Sequence, residues 1–218
     1  MRRLVVNADD LGYDPEIDRG ILEAHARGIV TSATAMVGTR WSAAALRAAP
    51  PALGVGLHVV LDEGLSPAAA GEAIRVQLDR FEQLRGAPPS HLDAHRHAHA
   101  RPGMLPVFAA AAAARGLPLR AIDGAMRREL RAAGVRTSGA FLGDAALRPC
   151  WTRERLLAAL AALPEGTAEL MAHPGHAPSH ARTSFGIERE VELEALCDPE
   201  ARRALAALGV QLVTWTAI

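Results

Sequence analysis

Four of the nine histidines in this 218-residue chain fall within nine consecutive positions, at His91, His95, His97 and His99. Histidine is the commonest metal ligand among protein side chains and titrates near neutral pH. So dense a cluster indicates either a metal and proton-transfer site or a surface loop of unrelated histidines. In a strand all four would share one face, because side chains alternate with a period of two. In a helix the first two would lie one turn apart, but the glutamate of His-Glu-x-x-His is absent and Pro88-Pro89 disfavours a helix.

Other polar residues come directly after predicted strands. Asp9 and Asp10 follow Leu4-Val5-Val6, His58 lies at the end of a third strand, and His173 follows a late one. In parallel β/α folds, active sites form at the C-terminal ends of the strands. These motifs and His95, at or after the fourth strand, are therefore expected to meet. Each also has a simpler interpretation, such as a loop capping the next helix or a buried core histidine.

The chemistry expected of such a group is metal-assisted hydrolysis. Adjacent aspartates cannot point the same way, so one of Asp9 and Asp10 could bind an ion while the other acts as general base. Two imidazoles and one carboxylate with open positions suit an ion that activates water; zinc fits that set, as do other divalent ions. His173, fixed by Pro174-Gly175, could serve as general acid, or could be incidental to a turn. Arg120 could orient an acidic partner or bind substrate.

Strands alternate with helices along the whole chain. Strands are predicted at 4–6, 29–37, 54–59, 117–122, 167–172 and 210–214, with shorter ones opening the histidine cluster and near Phe141. Helices are predicted at 14–28, with Asp14 as N-cap, and at 41–48, 72–85, 102–115, 126–133, 152–163 and 188–208, the last broken at Asp198-Pro199. Such alternation, with seven or eight units, favours a parallel β/α barrel or distorted barrel over an open sheet. One domain spanning 1–218 is expected, and no Gly-x-Gly-x-x-Gly follows the first strand to suggest a dinucleotide site.

Composition limits the partners. The formal charge is zero and the pI is about 7.1, which gives no electrostatic basis for binding nucleic acid or an anionic membrane. No segment approaches the roughly 18–20 apolar residues of a membrane span. The two cysteines suggest no disulfide framework. A cytoplasmic protein is expected, and its oligomeric state is left open, with a homodimer as one alternative.

Five ordered motifs resemble those of the YdjC-like (ChbG/HpnK) carbohydrate deacetylases. They are Val6–Gly12, Gly28–Thr34, Gly54–His58, Pro89–His99 and Glu169–Gly175, and the similarity extends through Arg189–Leu193. The resemblance implies an α/β fold, a distorted (β/α) barrel of about seven parallel strands related to polysaccharide deacetylases. It also implies hydrolysis of an N-acetyl group on the amino sugar of an oligosaccharide or glycoconjugate.

Carried over by position, the resemblance gives each site residue a role. A divalent ion, zinc or magnesium, is expected on Asp10, His58 and His95. Asp9 is then the base that deprotonates a metal-activated water, and His173 is the acid. Beyond these carried-over roles, Asn7, Asp93, His97, His99 and Arg120 are candidates for supporting or substrate-binding roles.

Three departures from the family pattern bear on specificity. Leu61–Pro67 leads almost directly into a helix where relatives usually have an insertion, Leu11 stands where phenylalanine is usual, and Asp123–Cys150 is short. Since loops at this face shape the cleft, the chemistry is expected to persist while the sugar differs. Two alternatives remain: a catalytically silent metal-binding barrel that binds a glycan or partner protein, and a metal-dependent phosphoesterase. The second lacks an evident second-metal ligand set and a phosphate-binding glycine loop.

Overall fold

The computed structural model describes residues 1–143 and 147–218 and contains a seven-stranded parallel sheet. Its strands are β1 Arg2–Leu11, β2 Ser32–Ala35, β3 Gly54–Val59, β4 Leu92–Ala94, β5 Ala140–Leu142, β6 Gly166–Ala172 and β7 Val210–Leu212. The strand order is β4-β3-β2-β1-β6-β5, with β7 also paired to β1. The fold is a parallel-strand half-barrel, which confirms the predicted distorted barrel of about seven strands.

Eight helices are described around this sheet. They are α1 Pro15–Arg27, α2 Ser42–Ala48, α3 Pro67–Arg85, α4 Leu105–Ala114, α5 Gly124–Ala132, α6 Arg153–Ala161, α7 Glu188–Cys197 and α8 Pro199–Ala207. The predicted caps are confirmed, since Asp14 accepts from Glu16 N and Thr152 from Arg155 N. The predicted break at Asp198-Pro199 separates α7 from α8. Of these described helices, none is both long and apolar enough to cross a membrane.

Helix α3 begins earlier than the predicted Glu72. Ser66 accepts a hydrogen bond from Ala69 N and Pro67 occupies the first turn, a favourable start that the apolar spacing alone did not reveal. The short connection from β3 into a helix is thereby confirmed. In the stretch 123–150, α5 and β5 are close to the predicted elements, and residues 144–146 lie outside the described residues.

The predicted end of the first strand at Val6 is wrong, because β1 continues to Leu11. Its first half lies between β6 and β7, and its second half pairs with β2 through a register shift between Ala8 and Leu11. The polar residues remain in the strand because they bond one another: Asn7 Nδ2 donates to Asp9 Oδ1 at 2.8 Å. Asp10 has a left-handed backbone, with φ of 75°. Both aspartates therefore lie at the C-terminal end of the central strand.

The interpretation of the histidine cluster as a strand is wrong beyond Ala94. A 3₁₀ turn covers His95–Ala100, and its residues Arg96 and His97 have φ of 50° and 49°. Two consecutive left-handed residues break the extended backbone whose side chains alternate, so the histidines cannot share one strand face. His95 is directed to Asp10, whereas His99 is buried beside Phe108.

The strand predicted at 117–122 is also wrong, apart from a single bridge between Leu92 and Leu119. Pro118 has no N–H to donate to a ladder. Its carbonyl accepts from Leu92 N, and Leu92 O accepts from Arg120 N. These two bonds suffice to place Arg120 beside β4, inside the half-barrel.

Asp18 in the first turns of α1 gives the fold a testable pH dependence. Its side chain is 9% exposed and accepts a hydrogen bond from Gly12 N at 2.5 Å. Burial is the main cause that raises the pKa of Asp18 to about 7; the Gly12 bond opposes it and the charge of Asp14 adds to it. The folded protein therefore keeps a proton on Asp18 at pH values where the unfolded chain has lost it.

Between about pH 4 and pH 7, stability should fall as pH rises, because the folded state binds more protons. We expect Asp18→Asn to remove the contribution of Asp18 to this slope, gaining about 1–2 kcal/mol relative to the native chain between pH 5 and pH 8. Urea unfolding at several pH values measures it. Asp62→Asn, at an exposed position, should follow the native curve. Parallel curves for Asp18→Asn and the native chain would show that the Asp18 proton has no such effect.

Candidate metal and catalytic site

Asp10, His58 and His95 form a group with metal-ligand geometry at the C-terminal edge of the sheet. His58 Nε2 and His95 Nδ1 each lie 3.3 Å from Asp10 Oδ1, and the three ligand atoms lie within 4.8 Å of one another. Asp10 Oδ1 is buried and has no hydrogen-bond partner among the described residues. A buried carboxylate oxygen facing two imidazole nitrogens is a donor set that divalent ions prefer. The three residues therefore fit the expected metal ion.

His58 is oriented by a carboxylate behind it. Its Nδ1 lies 2.7 Å from Asp93 Oδ1, and Thr34 Oγ1 donates to Asp93 Oδ2 at 2.9 Å. With its proton on Nδ1, the ring directs the lone pair of Nε2 towards Asp10. Burial alone would lower the pKa of His58, but Asp93 and Asp10 raise it to about 10. A bound ion would thus replace a proton at Nε2.

The second oxygen of Asp10 is held by Arg189 from α7. Arg189 Nη2 donates to Asp10 Oδ2 at 2.6 Å, and Arg189 is 1% exposed. Burial would raise the pKa of Asp10, but Arg189 and the two histidines hold it well below its usual range. Asp10 therefore stays ionised and has only Oδ1 left for an ion.

Arg120 joins three buried carboxylates from different strands. Its Nη1 and Nη2 donate to the two oxygens of Asp9, both at 2.7 Å, and its Nε donates to Glu169 Oε1 at 2.8 Å. Nη1 also lies 2.9 Å from Asp93 Oδ2. Asp9, His58 and Asp93 form a second group with ligand spacing, but both of its carboxylates already contact the guanidinium of Arg120.

Asp9 and Glu169 share the cation Arg120 but differ in pKa. Burial raises the pKa of Asp9, but the charge and hydrogen bonds of Arg120 overcome this and leave it below its usual range. Burial raises the pKa of Glu169 to about 7, with Arg120 opposing and the charges of Asp93 and Asp9 adding to it. Asp9 is therefore ionised at neutral pH, and Glu169 is the carboxyl that holds a proton most readily.

His173 is fixed at the end of β6 by its backbone. Its N–H donates to Glu192 Oε2 at 2.7 Å, and its ring lies 5.1 Å from the ring of Phe185. Its Nδ1 is buried without a hydrogen-bond partner in the described part of the chain. A cavity of about 140 Å³ opens onto His173, and it is also lined by Asp9, Asp10, His58, His95 and His97.

The remaining candidates lie behind this cavity. Asn7 bonds Asp9 and Thr34, Asp93 supports His58, and Arg120 supports Asp9. These are supporting positions, without a place in the lining of the cavity. His99 is buried beside His97 and Phe108 and does not line the cavity. His91 stacks on Trp215 at 4.5 Å and has no part in the ligand group.

Several residues of the site had no role in the sequence interpretation, namely Arg189, Glu192, Glu169, Thr34 and Phe185. Glu169 carried a usable signal, because it lies four positions before His173 and therefore on the same face of the strand. Arg189 and Glu192 fell within the similar segment Arg189–Leu193, but only their contacts with Asp10 and His173 N reveal what they do.

The model of the family described as YdjC-like protein matches residues 3–207 of this chain. The chain belongs to the YdjC-like family. Relatives include carbohydrate deacetylases of Geobacillus stearothermophilus, 34% identical with 98% of this chain and 97% of the relative covered, and of Homo sapiens, 34% identical with 96% and 89% covered. A chitooligosaccharide deacetylase of Proteus mirabilis is 34% identical, with 97% of both covered.

Two solved structures have a similar fold. An Enterococcus faecalis protein whose name proposes cellobiose-phosphate cleavage matches with a TM-score of 0.90 and 25% identity, covering 99% of this chain and 98% of that one. The peptidoglycan deacetylase PdaC of Bacillus subtilis matches with a TM-score of 0.55 and 15% identity, covering 98% and 87%. The second likeness is one of fold, and it relates the half-barrel to polysaccharide deacetylases.

Proposed function

We propose that this protein is a metal-dependent hydrolase that removes an N-acetyl group from an amino sugar of an oligosaccharide or glycoconjugate. The observation that carries the proposal is one cavity lined by an orphaned carboxylate oxygen between two imidazoles, a second carboxylate and a further histidine. The relatives named carbohydrate and chitooligosaccharide deacetylases support it.

Asp10, His58 and His95 would hold the ion. A divalent ion bound there would polarise the acetamide carbonyl and lower the pKa of a water molecule. The proposed ion is zinc or magnesium, and the two imidazole donors favour zinc, because magnesium prefers oxygen ligands. Arg189 supports monodentate binding through Asp10 Oδ1, since it already occupies Oδ2.

Asp9 and His173 would move the protons. Asp9 Oδ2 accepts one hydrogen bond from Arg120, which leaves a lone pair to take a proton from the attacking water. His173 Nδ1 is buried, which leaves Nε2 to give a proton to the departing amine. The water oxygen first bonds to the carbonyl carbon, the amide carbon–nitrogen bond then breaks as the nitrogen is protonated, and the products are acetate and a free amino sugar.

The two alternative functions have less support. A two-metal phosphoesterase needs a second ion, but in the second carboxylate–histidine group among the described residues both carboxylates already contact the guanidinium of Arg120. A catalytically silent barrel needs neither a buried base nor an acid, and here Asp9 and His173 line the same cavity as the ligand group.

Acetate release from a panel of N-acetylated amino sugars and their oligomers, after loading with zinc or magnesium, tests the proposal. We expect Asp9→Asn to lower kcat about 10²–10⁴-fold, as is typical for loss of a general base, while bound metal stays stoichiometric. Asp62→Asn, at an exposed position, should match the native protein. Failure of the metal-loaded native protein to release acetate from any sugar, or full activity of Asp9→Asn, would refute the proposal.

A further inference from the structure

One wall of the cavity comes from the connection between β6 and α7. Residues 176–186 of this connection, here called the strap, contain no helix or strand, yet four consecutive residues, Arg182 to Phe185, line the cavity. Phe185 packs against the ring of His173, 5.1 Å between ring centroids. The position of the strap therefore determines the shape of the space around the proposed acid. The backbone–backbone hydrogen bonds described for the strap lie at its two ends, from His176 N to Glu16 O of α1 and from Arg189 N of α7 to Gly186 O.

A single buried carboxylate from another part of the chain binds the middle of the strap. Asp14, between β1 and α1, accepts from His180 N at 2.7 Å and Ala181 N at 2.8 Å through Oδ2. Its Oδ1 accepts from Ser179 N at 3.3 Å and also caps α1 by accepting from Glu16 N at 2.9 Å. Asp14 is fully buried.

The bonds to Asp14 are of the charge-assisted kind. Burial would raise the pKa of Asp14, but the backbone N–H groups of the strap and of α1 keep it below its ordinary value. Hydrogen bonds from N–H groups to an ionised carboxylate are roughly twice as strong as neutral ones. Three consecutive N–H groups of the strap thus converge on one ionised side chain.

Further hydrogen bonds connect the strap to residues beside the ligand group. Tyr13, next to Asp14, donates its hydroxyl to Arg182 O at 3.0 Å, and Arg189 Nε donates to Phe185 O at 3.0 Å. The same Arg189 holds Asp10 Oδ2. The strap therefore connects the Asp14 carboxylate to Phe185. Phe185 contacts the proposed acid, His173, and also Arg189, which holds the proposed metal ligand Asp10.

We propose that Asp14 is a positioning residue that fixes the substrate-binding wall of the cavity through the strap. The inference rests on the proposed function for its substrate, an N-acetylated sugar. Asp14 acts on substrate binding and selection, because the wall it fixes faces the cavity while the ligand group and Asp9 are held by other contacts. Loosening the strap should raise KM, with a smaller effect on kcat and none on bound metal.

Asp14→Ser separates the two duties of the aspartate. Serine ranks close to aspartate as an N-cap, so α1 remains capped, but its shorter side chain with one oxygen cannot also reach the N–H groups at 179–181. Asp14→Asn keeps the size and loses the charge. The matched control is Asp123→Ser, because Asp123 caps α5 by accepting from Met126 N at 2.8 Å and is exposed.

Amide hydrogen exchange, KM, kcat and bound metal are measured for the zinc-loaded proteins. For Asp14→Ser we expect exchange at His180 and Ala181 to accelerate at least about tenfold and KM to rise about tenfold, each equivalent to about 1.4 kcal/mol. We expect kcat to stay within about threefold and Asp123→Ser to match the native protein. For Asp14→Asn we expect the same changes in exchange and KM, with a smaller rise in KM.

Two outcomes would overturn the inference: unchanged exchange at residues 180 and 181 in Asp14→Ser, or a fall in kcat at constant KM. A native protein that binds metal but releases no acetate refutes the proposed function instead. In that case sugar affinity measured by calorimetry replaces KM, and equal affinities of the native protein and Asp14→Ser would overturn the role of Asp14 by itself.

Discussion

Replacing Arg120 with methionine is expected to lower the free energy of unfolding by about 3–5 kcal/mol, the cost typical of removing one partner from a buried ionic group. Arg120 is fully buried and contacts Asp9, Asp93 and Glu169. Without its guanidinium, these carboxylates would be left buried without a compensating cation. Urea unfolding at pH 7 measures the loss, and deacetylation should fall with it because Asp9 would lose its fixed orientation.

Two further variants separate charge from geometry. Arg120→Lys keeps the charge but cannot bond three carboxylates at once, so we expect an intermediate loss of stability. Glu169→Gln in the methionine background removes one carboxyl and should recover part of the loss. Arg47→Met, at an exposed position of α2, should change stability by no more than about 0.5 kcal/mol. Equal stabilities of Arg47→Met and Arg120→Met would contradict the central role of Arg120.

The importance of Arg120 could be predicted only in part from the sequence. Its role in orienting an acidic partner was one interpretation, but every lysine or arginine position in this chain is arginine, so no single one stands out. Its three partners come from β1, β4 and β6, which are far apart in sequence. Only the fold brings them together, and the strand that was predicted to carry Arg120 is reduced to one bridge.

The ligand group was the most predictable part of the site. Asp10, His58 and His95 each lie at or after the C-terminal end of a strand, and in a parallel sheet these ends lie on one edge whatever the details of each strand. The turn after β4 could not be predicted, because it depends on the local backbone conformation and not on the position of a strand end. Arg96 and His97 both adopt left-handed backbone, which is uncommon for residues other than glycine even though histidine is enriched in it, so local sequence preferences give little signal for two such residues in a row.

Asp14 illustrates a different limit of sequence interpretation. The pattern Asp14-Pro15-Glu16 predicted a helix cap, and that prediction is confirmed. The same carboxylate also binds backbone N–H groups of Ser179, His180 and Ala181, a segment without hydrophobic periodicity. Because the helix cap alone accounts for an aspartate at this position, nothing in the sequence indicates that the same side chain also binds the strap.

Asp10→Asn is expected to abolish stoichiometric metal binding. Arg189 donates to Asp10 Oδ2, so the asparagine oxygen would take that position and its NH₂ group would face His58 and His95. The NH₂ group, a hydrogen-bond donor, would then occupy the position of Asp10 Oδ1, where the ion needs an oxygen ligand. The loss should exceed the roughly 10–100-fold expected for Asp93→Asn, which removes only the carboxylate that orients His58.

Metal content after dialysis and zinc titration by calorimetry measure both Asp10→Asn and Asp93→Asn. Asp62→Asn, exposed and outside the ligand group, should bind zinc as the native chain does. Circular dichroism distinguishes loss of the ion from loss of the fold, and Asp10→Asn should keep native helicity because Arg189 retains an oxygen acceptor. A folded Asp10→Asn protein with stoichiometric, tightly bound zinc would place the ion elsewhere. The group of Asp10, His58 and His95 would then be a hydrogen-bonded cluster, and the proposed hydrolysis would lose its metal.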